Sequence, residues 1–178
     1  MQPRHFTHIV FAFVCGLYFA LLQFSYFFLM EAFLTSQYLS YFIALFFWLC
    51  GFLVGLKLKR EDLFVRLLIV GVIAYYVTWW MTRLAPFHSM LYMIAAICSV
   101  GSGMLAGYFF PFMSKRFQPI RSLLFHENNG FLLGILIALK ASIYCGSLFL
   151  AWAPLLGAAL VVASGVVHPR TTTALSSS

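Results

Sequence analysis

The residues best suited to chemistry in this chain are four consecutive polar side chains and one lysine on a single apolar segment. They are His126, Glu127, Asn128 and Asn129, followed by Lys140. In a helix, Asn129 and Lys140 lie about three turns apart and return to nearly the same face, separated by about 16 Å along the axis. Burying polar groups in hydrocarbon is costly unless they are paired, so this face predicts a polar seam for a small cation, an amine or a proton.

Two interpretations of this polar face remain open at the level of the sequence. In the first, the seam is real, and its candidate partners are Gln23, Ser25 and Glu31 on the first apolar segment and Thr78 on the third. In the second, His126 to Asn129 form a hydrated helix start, and Lys140 extends its ammonium group to the membrane surface.

The remaining reactive residues show no spacing typical of a catalytic, cofactor or metal site. The four cysteines have no CxxC or Cys/His ligand pattern. A bis-histidine haem needs two ligands at matching depth, and His88 has no such partner. No Ser/His/Asp order, GxGxxG or phosphate-binding loop is present. We therefore predict a protein that is not an enzyme and has no catalytic residue, no metal and no cofactor.

Six long apolar runs must position these residues. Each is near the ~20 residues that cross a hydrocarbon core as a helix. Hydrophobic residues are 63% of the chain and charged residues 8%, which excludes an ordinary soluble domain. The predicted fold class is all-α, a polytopic membrane protein with six transmembrane helices. The runs are His8 to Met30, Ser36 to Leu56, Asp62 to Met81, His88 to Phe112, Leu123 to Ile143 and Ser147 to Val167.

The basic residues predict the orientation, because Lys and Arg near helix ends are retained on the cytoplasmic side. Six crossings place nine of the eleven basic residues on one side, leaving Arg83 opposite and Lys140 inside the fifth run. We expect both termini to be cytoplasmic, in a multi-pass protein of the bacterial cytoplasmic (inner) membrane. The nine are Arg4, Lys57, Lys59, Arg60, Arg66, Lys115, Arg116, Arg121 and Arg170.

The formal charge of +7 bears on the partners of the chain. The cations are spread over short loops beside the membrane, where anionic lipid headgroups are the natural partner, so we predict a lipid bilayer environment and no nucleic acid. We expect one six-helix domain over residues 1–170 and a short polar C-terminal tail over residues 171–178. A comparison of the first three runs with the last three reveals no sequence repeat.

Glycine spacing predicts which helices pack closely. Three pairs follow the small-xxx-small pattern, which leaves a bare strip of backbone on one helix face. We therefore expect the second, fourth and fifth helices to approach their neighbours closely. The pairs are Gly51 with Gly55, Gly103 with Gly107, and Gly130 with Gly134.

Several of these stretches together resemble membrane-embedded spermidine-synthase-like proteins. An acidic residue ends the first helix in Phe28 to Ala32, and the glycine-rich Gly51 to Gly55 precedes the basic Lys57 to Arg60. Gly103 to Gly107 is similar to that family's fourth helix, and Glu127 to Gly134 to its fifth. Half of a major-facilitator transporter is a related likeness. Because the family's soluble aminopropyltransferase domain is absent from this sequence, we expect no such activity.

These observations predict a non-enzymatic integral membrane subunit that packs against, and stabilises or anchors, a partner membrane protein or complex. The alternative is a small transporter or channel for a cation, an amine or a proton, working as a homodimer. The expected protein partners are other membrane subunits or a second copy of the chain. The two hypotheses differ in whether the seam residues converge on a water-accessible cavity.

Overall fold

A computed structural model describes residues 3–33, 37–60, 62–117 and 120–166. Within these residues the chain forms six α-helices and no strand, and every helix is long and apolar enough to cross a membrane. The predicted all-α, six-helix polytopic class is therefore confirmed. The cytoplasmic placement of the termini stays a prediction, and the predicted tail lies outside the described residues. The helices are α1 (Pro3–Phe33), α2 (Gln37–Leu56), α3 (Phe64–Leu84), α4 (Met90–Ser114), α5 (Ile120–Cys145) and α6 (Ser147–Val166).

Helices α1 and α4 form the centre of the bundle. Helix α1 contacts all five other helices, and α4 contacts all except α6 among the described residues. The inward side of α1 carries small side chains such as Ala12 and Cys15 and large ones such as Tyr18 and Tyr26, all completely buried. The small residues let neighbouring helices approach, and the large ones fill the space between helices, while the backbone hydrogen bonds stay within each helix, as a lipid environment requires.

Glycines bring the backbones of α2 and α4 into direct contact. A Cβ atom added to Gly51 would overlap the carbonyl oxygen of Val100, and one added to Gly107 would overlap that of Phe52. Only a residue without a side chain fits at such positions, so the closeness of the two helices depends on glycine. Gly55 and Gly103 face Met104 and Trp48 in the same way.

Helices α1 and α5 meet through an equivalent glycine interface. A Cβ atom at Gly130 would overlap the carbonyl oxygen of Phe13, and one at Gly16 would overlap that of Glu127. A Cβ atom at Gly134 would lie 2.7 Å from the carbonyl oxygen of Leu17. All three predicted glycine pairs therefore lie in helix interfaces, and Gly16 on α1 is an additional participant.

The two glycine interfaces share one register. Gly51 of α2 meets Val100 of α4, and Gly130 of α5 meets Phe13 of α1. Val100 lies 87 positions after Phe13, and Gly130 lies 79 positions after Gly51. The same two offsets relate two further pairs of close contacts. The contact of Gly55 with Met104 corresponds to that of Gly134 with Leu17. The contact of Gly103 with Trp48 corresponds to that of Gly16 with Glu127.

The matched register divides the bundle into two units of three helices, α1–α3 and α4–α6. The contact of α3 with α4 likewise has its counterpart in the contact of α6 with α1. Since three crossings reverse the direction of the chain, the second unit is inverted relative to the first, as in many transporters. The match is approximate, because α1 contacts α3 whereas α4 has no contact with α6 in the described parts of the chain. The repeat is carried by the spacing of small residues and therefore escapes a comparison of residue identities.

Candidate functional site

The residues of the predicted polar seam are not brought together in the structure. Glu127 is buried between α1 and α5, with 6% of its surface exposed, whereas Asn128 and Lys140 are exposed. Asn129 is half-buried, and its side-chain amide donates a 2.7 Å hydrogen bond to the carbonyl oxygen of Phe125 in its own helix. The carboxylate, the amides and the ammonium group thus have different surroundings.

The orientation of α5 explains this separation. Its buried face is formed by Glu127, Gly130, Gly134 and Ala138, which follow one another at helical spacing against α1. Lys140 comes two residues after Ala138, so it points to the opposite side of the helix. The spacing of Asn129 and Lys140 fixes their angle to each other, but the packing of α5 turns Lys140 away from the bundle interior.

The other two seam residues are also apart. Glu31 is exposed near the end of α1, whereas the Glu127 backbone meets α1 at Gly16, about 22 Å away along the axis. His126 is half-buried and its ring packs edge-on against Phe125, with 5.4 Å between the ring centroids. The six predicted residues therefore form no single binding site.

A cluster of hydroxyl groups lies instead in the interior, between α1, α3, α4 and α6. The Tyr26 hydroxyl is 3.0 Å from the Ser102 hydroxyl, which donates to the Gly71 carbonyl oxygen at 3.2 Å. A serine has one hydroxyl proton, so Tyr26 is the donor to Ser102 and the chain of bonds joins α1, α4 and α3. The cluster consists of Tyr18, Ser25, Tyr26, Tyr75, Tyr76, Thr78, Ser99 and Ser102.

Two tyrosines of this hydroxyl cluster connect α3 to α6. The Tyr75 hydroxyl donates to the carbonyl oxygen of Leu150, and the Tyr76 hydroxyl to that of Ala151, each at 2.7 Å. Leu150 lies four residues before Pro154, which has no N–H to donate to it. Tyr75 thereby satisfies a carbonyl group that the helix itself leaves without its usual partner.

Three hydroxyls of the cluster have no hydrogen-bond partner among the described residues: those of Tyr18, Ser25 and Ser99. All three side chains are completely buried. A buried hydroxyl without a partner typically costs about 1–3 kcal/mol, so unsatisfied groups are rare in protein interiors. Their unused O–H donors and oxygen lone pairs can hydrogen-bond a small polar molecule, and the lone pairs can also coordinate a cation. The hydroxyl cluster contains no carboxylate and no nucleophile–base pair.

Of these eight residues, the sequence predicts a role only for Ser25 and Thr78, as partners of the polar seam. A signal for the rest is present, because Tyr75 and Thr78 on α3, and Ser99 and Ser102 on α4, are each three residues apart and share a helix face. Hydroxyl groups are common in membrane helices, so this spacing alone does not indicate a site. The structure is needed to show that these faces of α3 and α4 meet.

The chain matches no protein-family model, no curated protein and no solved structure. The likeness to spermidine-synthase-like membrane domains therefore stays a prediction based on its short glycine-rich and polar stretches.

Proposed function

We propose that this protein is a non-enzymatic membrane subunit that packs laterally, through α2 and α5, against a partner membrane protein that it stabilises or anchors. The exposure of these two helices carries the proposal. They have the smallest buried shares of the six spans, 33% and 28%. They do not contact each other within the described residues, so each presents a long apolar surface outward.

The outward side of α2 is suited to bind another helix. Phe42 and Phe46 are exposed and stack on each other, with 5.0 Å between ring centroids. In a bilayer, helices associate through shape-matched packing and polar contacts, since lipid and protein surfaces are equally apolar. A ridge of stacked rings provides a shaped surface for a partner helix with small residues.

Lys140 adds a polar requirement on α5. It is exposed inside the span, about 7–8 Å from the helix end at Cys145. A charge on the lipid-facing side is costly unless it reaches the surface or is paired. A partner helix with a carboxylate at this depth would pair with it and fix the register of the two proteins.

Gentle purification from membranes, with mass spectrometry of co-purifying chains, tests the proposal. We expect a reproducible partner that is lost from Phe42→Ala/Phe46→Ala protein. The matched control, Trp80→Ala/Trp152→Ala, removes two exposed aromatic rings from α3 and α6 and should retain the partner. A wild-type protein that always runs alone would contradict the proposal.

A second candidate function, a homodimeric transporter or channel for a cation, an amine or a proton, is favoured by the inverted three-helix units. Such units commonly surround a substrate site near the membrane midplane. Tyr18 and Ser99 carry unpartnered hydroxyls near the middle of α1 and α4, and the Tyr18 ring lies against Gly157 of α6, in the other unit. In proteoliposomes, Tyr18→Phe and Ser99→Ala should slow transport without affecting co-purification. Ser164→Ala, whose hydroxyl bonds only within α6, is the control.

We also propose that the protein is a bacterial inner-membrane protein with cytoplasmic termini and that it is related to spermidine-synthase-like membrane domains. The bias of basic residues toward one end supports the orientation. The glycine-rich second, fourth and fifth helices support the relationship.

A further inference from the structure

A cleft of about 360 Å³ opens at one end of the bundle, where α2 ends and the last turn of α4 lies beside it. Its walls combine positive charge with aromatic rings. The four cations belong to two separate segments of the chain, which the close packing of α2 on α4 brings together. The principal lining residues are Lys59, Arg60, Tyr108, Phe112, Lys115 and Arg116.

Specific contacts hold the walls of this basic cleft in place. The buried Tyr108 hydroxyl donates to the backbone carbonyl of Arg60, which ties the segment after α2 to α4. The guanidinium of Arg116 lies over the Phe112 ring, 4.7 Å from its centroid. Stacking of this kind orients an arginine while leaving its N–H donors available at the ring edge.

Basic residues outnumber acidic ones on the two chain segments that form the basic cleft. The segment from Lys57 to Asp62 has three basic and two acidic residues, and Lys115 and Arg116 add two more positive charges. Asp62 pairs with Arg66 at 3.4 Å, and neither residue lines the cleft. Glu127 is buried between α1 and α5, and Glu31 is far along α1. An excess of positive charge on one concave surface favours binding of an anion there.

We propose that the basic cleft binds a phosphate group, carried either by the headgroup of an anionic phospholipid or by a free phosphate compound. The planar guanidinium group of arginine can donate two hydrogen bonds to the oxygens of one phosphate, and lysines supply further positive charge. The volume lies within the range of small-molecule sites. The cleft is at a helix end, the depth at which headgroups lie, so both sources can reach it. The inference is independent of the proposed subunit role.

The test uses the full chain in nanodiscs. One arm adds phosphatidylglycerol to phosphatidylcholine discs and measures protein-bound lipid by native mass spectrometry. The other arm titrates inorganic phosphate into discs of phosphatidylcholine alone and follows binding by calorimetry.

Each arm compares wild type with Arg60→Gln/Arg116→Gln. The control, Lys57→Gln/Arg121→Gln, removes the same charge from two exposed residues that do not line the cleft. Circular dichroism verifies the fold of each protein.

We expect the cleft variant to bind the phosphate ligand at least about tenfold more weakly than wild type, since two charge-assisted contacts are lost. The control should change affinity by about fivefold or less, through surface charge alone. Binding in the lipid arm only identifies a headgroup site, and binding in the phosphate arm identifies a free anion site. Equal losses in the two variants, or no binding in either arm, would overturn the proposal.

Discussion

The Tyr75 hydroxyl on α3 donates a hydrogen bond to the Leu150 carbonyl oxygen on α6, 75 residues away along the chain. Pro154 removes the N–H that would otherwise reach this carbonyl within α6. A tyrosine of one helix thus compensates for a proline of another. Membrane helices tolerate proline when a neighbour satisfies the freed backbone group, and here that neighbour is in the other three-helix unit.

This relationship predicts a coupled effect of two substitutions. Tyr75→Phe should lower the free energy of unfolding by about 1–2 kcal/mol, because the Leu150 carbonyl is then buried without a donor. In a Pro154→Ala background the helix supplies its own N–H, so Tyr75→Phe should be nearly silent. Unfolding in mixed micelles, analysed as a double-mutant cycle, measures the difference. Tyr76→Phe is the control, since Leu155 can donate to Ala151, and its effect should not depend on Pro154. Additive effects of Tyr75→Phe and Pro154→Ala would refute the compensation.

The glycine interfaces predict a contrast between two substitutions on the same helix. Gly107→Ala places a methyl group on the Phe52 carbonyl and should destabilise the bundle by about 1–3 kcal/mol as α2 is pushed from α4. Gly101→Ala meets only the side chains of Val70 and Ala74, at 3.7 and 4.0 Å, and should be neutral or slightly stabilising through its higher helix propensity. Thermal unfolding in detergent compares the two. Equal destabilisation would mean that helix propensity, and not backbone contact, determines the response.

Lys140 provides a test that separates an interior role from a role at the surface. Because its side chain is exposed, Lys140→Met should leave insertion, helicity and unfolding of the isolated protein unchanged. Under the proposed subunit role, the same substitution weakens co-purification of the partner, whereas Lys140→Arg retains it. Membrane fractionation and quantitative mass spectrometry give the two readouts. A Lys140→Met protein that is itself unstable would place the ammonium group in the interior, contrary to its position on α5.

The orientation in the membrane predicts labelling from opposite sides. Cys145 is exposed at the end of α5, whereas Lys115 follows the last turn of α4 at the other end of the bundle. A membrane-impermeant maleimide should label Cys145 from outside intact cells, and Lys115→Cys in a Cys145→Ser background only after permeabilisation. Labelling of both positions from the same side would contradict a six-helix topology. Labelling with the sides exchanged would reverse the predicted cytoplasmic placement of the termini.

The sequence by itself determined the six helices and their approximate ends. Each apolar run is long enough to span a bilayer, and a helix satisfies its backbone hydrogen bonds locally, so no information from the rest of the chain is needed. The glycine pairs on α2, α4 and α5 can also be recognised in the sequence, because the spacing that exposes a strip of backbone is a property of a single helix.

The tertiary structure decided which faces meet. Spacing fixes the angle between Asn129 and Lys140, but a helix that is apolar on most sides carries little indication of which side is buried. The glycine contacts with α1 set the rotation of α5, burying Glu127 and exposing Lys140. The hydroxyl cluster, the Tyr75–Leu150 bond and the matched register of the two units likewise depend on contacts between distant helices. In a bilayer such contacts are selected by close packing and not by the exclusion of apolar surface from water, so hydrophobic pattern alone does not specify them.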